Sequence, residues 1–373
     1  MTESPYPKAR AGKNAKGLDR SGGMSLASWL ESRSRYQALT DFLAAKMVPR
    51  HRHSFWYIMG GLAGFFFVVQ IVTGILLLFY YSPTPEAAHE SVQLIMTRVR
   101  HGWLIRSIHS WSANLMVATV FIHMASTFFL KAYRKPRELM WITGVILLFI
   151  VLGFAFTGYL LPWDTTAYYA TQIGTEIPRS IPVIGPSLVS VLRGGEFVAA
   201  ESLKRLFALH VAVLPLAATL LILLHLILNQ IHGSSSPIRA LARDSGIPFY
   251  PNYVYRDLIV WTLGLLAVFW LALLLPVHLG PKADPLASAP PGIRPEWYFL
   301  TLYETLRLLP PAVFGIDSEV LANLGVMLFT IVLFLVPFLD RRAAREEPGI
   351  LFALAGMAIV FYAGIAVCLA YLT

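Results

Sequence analysis

Cysteine is nearly missing from this chain: Cys368 is the only one in 373 residues, and it lies in the last apolar run. A single thiol excludes an internal disulfide, a Cys-rich metal site and a CxxCH attachment motif. Charge is also scarce. Asp, Glu, Lys and Arg make up 14% of the residues against 56% hydrophobic ones, which excludes a soluble domain of this length. Residues 1–50 are polar and basic and contain no apolar h-region, so no signal peptide is expected and the first apolar run should remain as an anchor. Acidic residues number 21 against 30 Lys and Arg, a formal charge of +9. Anionic lipid headgroups account for that excess without a nucleic-acid partner.

The apolar residues fall into seven runs, at about 55–80, 107–130, 139–161, 206–229, 257–278, 320–339 and 349–371. Each has the ~20 residues needed to cross a bilayer, and backbone at that depth must satisfy its own hydrogen bonds, so each should be a helix. The expected fold class is an all-α membrane protein with seven transmembrane helices. Segments before run one and between runs two and three, four and five, and six and seven hold about 20 of the 30 basic residues, including Lys8, Lys131, Arg134, Arg239, Arg243, Arg341, Arg342 and Arg345. That bias places the N-terminus in the cytoplasm and the C-terminus outside the plasma membrane.

Residues 26–47 space Trp29, Leu30, Tyr36, Leu39, Phe42 and Leu43 as one amphipathic surface helix would. Two outer connections are long, 162–204 and 279–319, and the first contains Pro162, Pro178, Pro182 and Pro186. They are expected to hold most of the non-helical material and a site or docking surface. The chain divides into a tail and surface helix at 1–50, a four-helix part at 51–232 and a three-helix part at 233–373.

Histidines supply the sharpest pattern. The second run holds His109 and His123, 14 apart, and the fourth holds His210 and His225, 15 apart. Fourteen helical steps rise roughly 21 Å with an angular offset of about 40°, so each pair lies along one helix face, one His near each side of the membrane. The two runs point the same way, so His109 can face His210 and His123 can face His225. Two ligands per site are too few for zinc, whereas two axial imidazoles suit a haem iron. Gly60 and Gly74 in the first run, and Gly144 and Gly158 in the third, repeat the 14-residue interval and leave room for a flat ligand edge. Arg106, three residues before His109, is placed either to pair with a haem propionate or to snorkel.

These residues, with QIVTGILLLFYY (70–81), GWLIRSIHSWSAN (102–114), GYLLPWD (158–164), IPVIG (181–185), LLHLI (223–227) and RPEWYFLTLYETLR (294–307), resemble the cytochrome b family of cytochrome bc and bf complexes over about residues 26–370. The first half is most similar to the plastid-type branch, including KPREL (135–139), and the second to that branch's separate three-helix subunit IV. The resemblance implies quinol oxidation at the outer face, one electron passing to a Rieske iron–sulfur protein and the other inward through two b haems (outer His109/His210, inner His123/His225) to a quinone-reducing site. Proton translocation, a c-type cytochrome subunit and a homodimeric complex are implied with it. Glu296 matches the family's proton acceptor, held by a turn at Pro295, and Tyr159, Tyr298 and Tyr303 match aromatic positions around the same pocket. Asp257, with Arg256 beside it, matches a position near the inner quinone pocket, and His232 lies at the same end. Ile58 stands where the plastid-type branch has the cysteine that tethers a third haem, so no covalent third haem is expected there. Ser126 stands where relatives often have an Arg for an inner propionate, a role open to Lys131 or Arg134. Two rival readings remain: a dihaem membrane anchor of a dehydrogenase, which has no use for RPEWYFL, and a haem-free proton-relaying transporter.

Overall fold

The computed structural model describes residues 26–50, 53–235, 246–340 and 350–372. The tail at 1–25 and the inner-loop arginines 239, 243, 341, 342 and 345 lie outside the described residues. Among the described residues, seven helices are long and apolar enough to cross a membrane: Ser54–Leu78, Gly102–Phe129, Glu138–Tyr159, Ala200–His232, Phe249–Leu274, Ser318–Leu339 and Ile350–Leu372. They correspond one for one to the seven expected runs, and the protein is an all-α, multi-pass integral membrane protein. Long stretches of apolar side chain stay uncovered, such as Leu216, Leu220, Leu224, Ile227 and Ile231 on the fourth span, as a surface facing lipid requires.

The chain forms two compact units. The first comprises the residues up to Val48 together with Gly246–Tyr255. Here the expected single surface helix is two, Leu26–Ser34 and Tyr36–Ala45, because Arg35 adopts a left-handed backbone with φ 49°. The Glu31 carboxylate accepts from Gln37 N–H at 2.9 Å and so caps the second helix across the break. Met47–Val48 then pairs antiparallel with Ile247–Pro248.

The second unit holds the remaining residues. The first span packs on the second and the third on the fourth. The connections expected on the outer side contain far more helix than the non-helical material expected there: Ala88–Thr97, Thr165–Glu176, Gly185–Arg193 and Leu300–Leu308. Pro186 occupies the first turn of Gly185–Arg193, where its missing N–H would have had no partner. Buried Arg193 fastens these outer helices, donating to Thr175 Oγ1 at 2.6 Å, Gln172 O at 2.7 Å and Glu196 O at 2.9 Å, and pairing with Glu176 at 2.9 Å.

A second polar lock lies at the other end of the bundle. Asp340, 2% exposed and following the sixth span, accepts from Lys131 Nζ at 2.9 Å and Tyr133 Oη at 2.8 Å, both from the turn after the second span. Asp340→Ala would leave the Lys131 ammonium without its carboxylate, a loss of about 3 kcal/mol for a buried pair broken on one side. The thermal midpoint of the detergent-solubilised protein should fall accordingly, and an unchanged midpoint would refute the assignment.

Candidate functional site

The fourth span is not a plain α-helix. Residues Leu209–Val213 form a π turn that contains His210, and Pro215 follows directly. Proline removes one helical N–H donor and crowds the carbonyl four residues back, which the wider turn accommodates. The extra residue taken up there offsets the 15-residue spacing, so His210 and His225 recover the 14-residue register of His109 and His123.

Each of the four glycines faces one of the four histidines. A Cβ added at Gly60 would lie 3.0 Å from His123 Cε1; at Gly74, 3.4 Å from His109; at Gly144, 3.5 Å from His225; at Gly158, 2.6 Å from His210. The His109 and His210 ring centres are 6.4 Å apart. Two imidazoles on opposite sides of one metal, with bonds of about 2 Å and ring centres roughly 1.2 Å beyond each nitrogen, would be about 6 Å apart. Gly60 and Gly144, which pack on His123 and His225, each precede by 14 residues the glycines that pack on His109 and His210.

Threonines, which the sequence reading passed over, select the histidine nitrogen. Thr73, Thr143 and Thr157 each donate their hydroxyl to the carbonyl four residues back: to Val69 at 2.6 Å, Leu139 at 2.9 Å and Gly153 at 2.8 Å. With its hydrogen committed, each oxygen can only accept. They meet His109 Nδ1 at 2.8 Å, His225 Nδ1 at 2.8 Å and His210 Nδ1 at 3.1 Å. Phe154 O adds a second acceptor at 3.1 Å from His210 Nδ1. The proton therefore sits on Nδ1, and Nε2 presents a lone pair for a metal. Each threonine directly precedes its glycine, so the repeated Thr-Gly dipeptide was the available signal.

A cavity of about 270 Å³ opens beside this arrangement, and its lining includes Tyr159, Thr171, Glu296, Tyr298, Tyr303 and Asn323. All four residues expected at a quinol pocket are there. Tyr159 is the chain neighbour of Gly158, so one peptide bond separates the cavity wall from the residue packed on His210. The loop carrying Glu296 is pinned by its neighbour: Trp297 Nε1 donates to Asn114 Oδ1 of the second span at 2.8 Å. Burial pushes the Glu296 carboxyl above its usual range, and burial together with Glu296 and Tyr159 pushes the Tyr298 phenol upward. Thr171, 1% exposed, has an unpartnered hydroxyl, while Asn323 is held through Ile177 O at 2.7 Å and Ser180 Oγ at 2.6 Å.

The remaining expected residues separate. Arg106 donates to Val277 O at 2.8 Å and Met96 Sδ at 3.1 Å, so backbone and thioether engage its guanidinium. Asp257 packs against Gly61, next to the glycine on His123, and its Oδ1 is buried without a partner. Arg256 is exposed; His232 is tied through its carbonyl, which accepts from Arg137 at 3.0 Å. Among the described residues, neither side chain forms an ion pair with Asp257. Lys131 is committed to Asp340 and Ser126 to His123 O at 2.8 Å, which removes Lys131 as a free inner cation.

Residues 43–233 match the family described as cytochrome b/b6/petB, and residues 282–372 match cytochrome b (C-terminal)/b6/petD. The chain is 46% identical over 347 residues to a cytochrome bc complex cytochrome b subunit of Chlorobaculum thiosulfatiphilum, covering 91% of this chain and 79% of that one. The chain belongs to the cytochrome b family. Cytochrome b6 of Gracilaria tenuistipitata var. liui is 44% identical over 210 residues, 56% of this chain and 97% of that one. A chain of a hyperthermophilic respiratory Complex III matches with a TM-score of 0.82 and 29% identity, covering 93% of this chain and 91% of its own. A b6-type part and a subunit-IV-type part are thus fused in one cytochrome b, a b-haem, quinone-binding subunit of a quinol–cytochrome oxidoreductase.

Asp164 joins the two parts of this cytochrome b. Its Oδ1 accepts from Ala167 N–H at 2.9 Å, capping Thr165–Glu176, and its Oδ2 accepts from Gly280 N–H at 3.2 Å. Asp164→Ala removes a helix cap worth about 1 kcal/mol and frees the loop leading to Glu296. Quinol oxidation by the complex should fall several-fold with the b-haem absorption unchanged; wild-type turnover in the variant would sink the prediction.

Proposed function

We propose that this cytochrome b oxidises quinol in the Glu296 cavity at the outer face and moves electrons across the membrane between two b-haem sites. His109 and His210 would hold the outer haem and His123 and His225 the inner one, each haem supplying a reversible one-electron store at a fixed depth. The observation that carries the reading is the four-fold match of histidine to glycine at two depths, with the cavity wall one residue from the outer pair. Oxidation is bifurcated in this reading: one electron leaves to a Rieske iron–sulfur protein and on to a c-type cytochrome subunit, the other goes inward. The complex is a homodimer in a plasma membrane, the chain's N-terminus cytoplasmic and its C-terminus outside. Residues 51–232 form the dihaem part, and residues 233–373 the part contributing the quinol-site loop.

The side chains divide the work. Glu296 accepts a hydroxyl proton from quinol and releases it outward; Tyr159, Tyr298 and Tyr303 shape the cavity and exclude water. At the inner end Asp257 is the residue placed to exchange protons with a quinone, with Arg256 and His232 as outlying members of that region. Arg106, held by backbone carbonyls, supports the outer site by fixing the segment after the fifth span. Ile58 offers no thiol for a third, covalent haem. A dihaem anchor for a dehydrogenase would need no cavity built around a buried carboxyl, and the cavity argues against it.

Two measurements test this. Replacing His109 or His225 by Leu should abolish the b-type centre at that ligand's site, visible as loss of its part of the reduced-minus-oxidised spectrum; retention of both low-spin centres would overturn the assignment. Glu296 works as a base only when deprotonated, and burial raises its pKa above the ordinary 4.5. Quinol oxidation should therefore rise with pH through a limb above that value, and Glu296→Gln should slow turnover at least ~10-fold while removing the limb. An identical pH profile in the variant would exclude Glu296.

A further inference from the structure

Three of the four site histidines share one arrangement, and the fourth departs from it. Thr73, Thr143 and Thr157 precede Gly74, Gly144 and Gly158 and accept from the Nδ1–H of His109, His225 and His210. Before Gly60 stands Met59, buried and without a hydroxyl. Among the described residues, buried His123 Nδ1 has no hydrogen-bond partner, although the ring sits as close to Gly60 as the others sit to their glycines, with Cε1 3.0 Å from an added Cβ. The missing partner is thus a matter of residue type rather than of ring placement. The local backbone adds to it: the first span opens with a 3-10 turn at Ser54–Tyr57 before the α-helix begins at Ile58.

An imidazole whose Nδ1–H donates to oxygen is a richer electron donor through Nε2, which favours the oxidised iron and lowers its reduction potential. The outer pair has two such imidazoles and the inner pair one. We infer that Met59 is a positioning residue for the inner centre, acting through His123: by withholding a hydrogen-bond acceptor it sets that centre's reduction potential above the outer one's. The inference rests on the two-haem reading above and assigns one residue the inward bias of the electron path.

Redox titration of the b bands in membranes containing the intact complex tests it. Met59→Thr, which restores the Thr-Gly dipeptide, should shift the inner centre's midpoint to more negative values, towards the outer, and leave the outer unmoved. Met59→Leu should leave both where they are. Should Met59→Thr fail to assemble, Thr143→Val tests the same control from the other ligand of the inner site and should raise that midpoint, while Thr73→Val should raise only the outer one, identifying which band is which. An inner midpoint that stays at its wild-type value in Met59→Thr, a parallel shift of both centres, or an unmoved inner midpoint in Thr143→Val would overturn the role of Met59. Absence of protohaem from the wild-type complex would instead remove the two-haem reading, and the inference with it.

Discussion

A threonine hydroxyl has one hydrogen to give and can then only accept, and the site depends on that asymmetry. In an apolar helix the hydrogen goes to the carbonyl four residues back, the nearest acceptor available away from water. The remaining lone pair then takes the Nδ1–H of a histidine on the neighbouring span. Thr73, Thr143 and Thr157 each do this, which assigns the proton to Nδ1 and leaves the lone pair to Nε2. A glycine one residue on lets the ring pack where a Cβ would otherwise crowd it. Side chain and missing side chain together therefore make a ligand position out of what would otherwise be a buried polar group with no partner.

The architecture was readable wherever one helical period governs it. Seven apolar runs became seven spans, and the 14-residue intervals of the His and Gly residues follow from 3.6 residues per turn; that each glycine packs on a histidine ring was not among the expectations. The 15-residue interval in the fourth span looked like a small irregularity, and the π turn before Pro215 accounts for it. The threonines escaped because a β-branched residue in an apolar run reads as filler, and its hydrogen bonds depend on a partner 36 to 82 residues away. The long connections were expected to be mostly non-helical, yet a proline such as Pro186 can begin a helix as readily as end one. Nothing in SLASWLESRSRYQALTDFLAAK marks Arg35 as the break, since the backbone there is fixed by Glu31 capping Gln37.

The Glu296 cavity was legible as a list of residues and not as an assembly. Glu296 and the three tyrosines were found by motif, yet what holds them comes from distant chain. Asn114 on the second span takes the indole hydrogen of Trp297, and Asp164 takes the amide of Gly280. Thr171 and Asn323 complete the wall with polar atoms that no local pattern announces.

These tethers bear on why the two family segments work as one polypeptide. The b6-type segment supplies Tyr159 and Thr171, and the subunit-IV-type segment supplies Glu296, Tyr298, Tyr303 and Asn323. Neither segment encloses the cavity alone. The bonds that dock one on the other are polar and scattered, among them Trp141 to Leu333 O, Tyr169 to Asp284 O and Trp297 to Asn114, each worth about 1 kcal/mol net, against apolar faces that lipid solvates as well as a neighbouring helix does. Covalent connection makes that docking intramolecular and raises the effective concentration of one part near the other. A carboxyl placed by a loop of the second part then shares its cavity with Tyr159, the chain neighbour of the glycine that packs on His210.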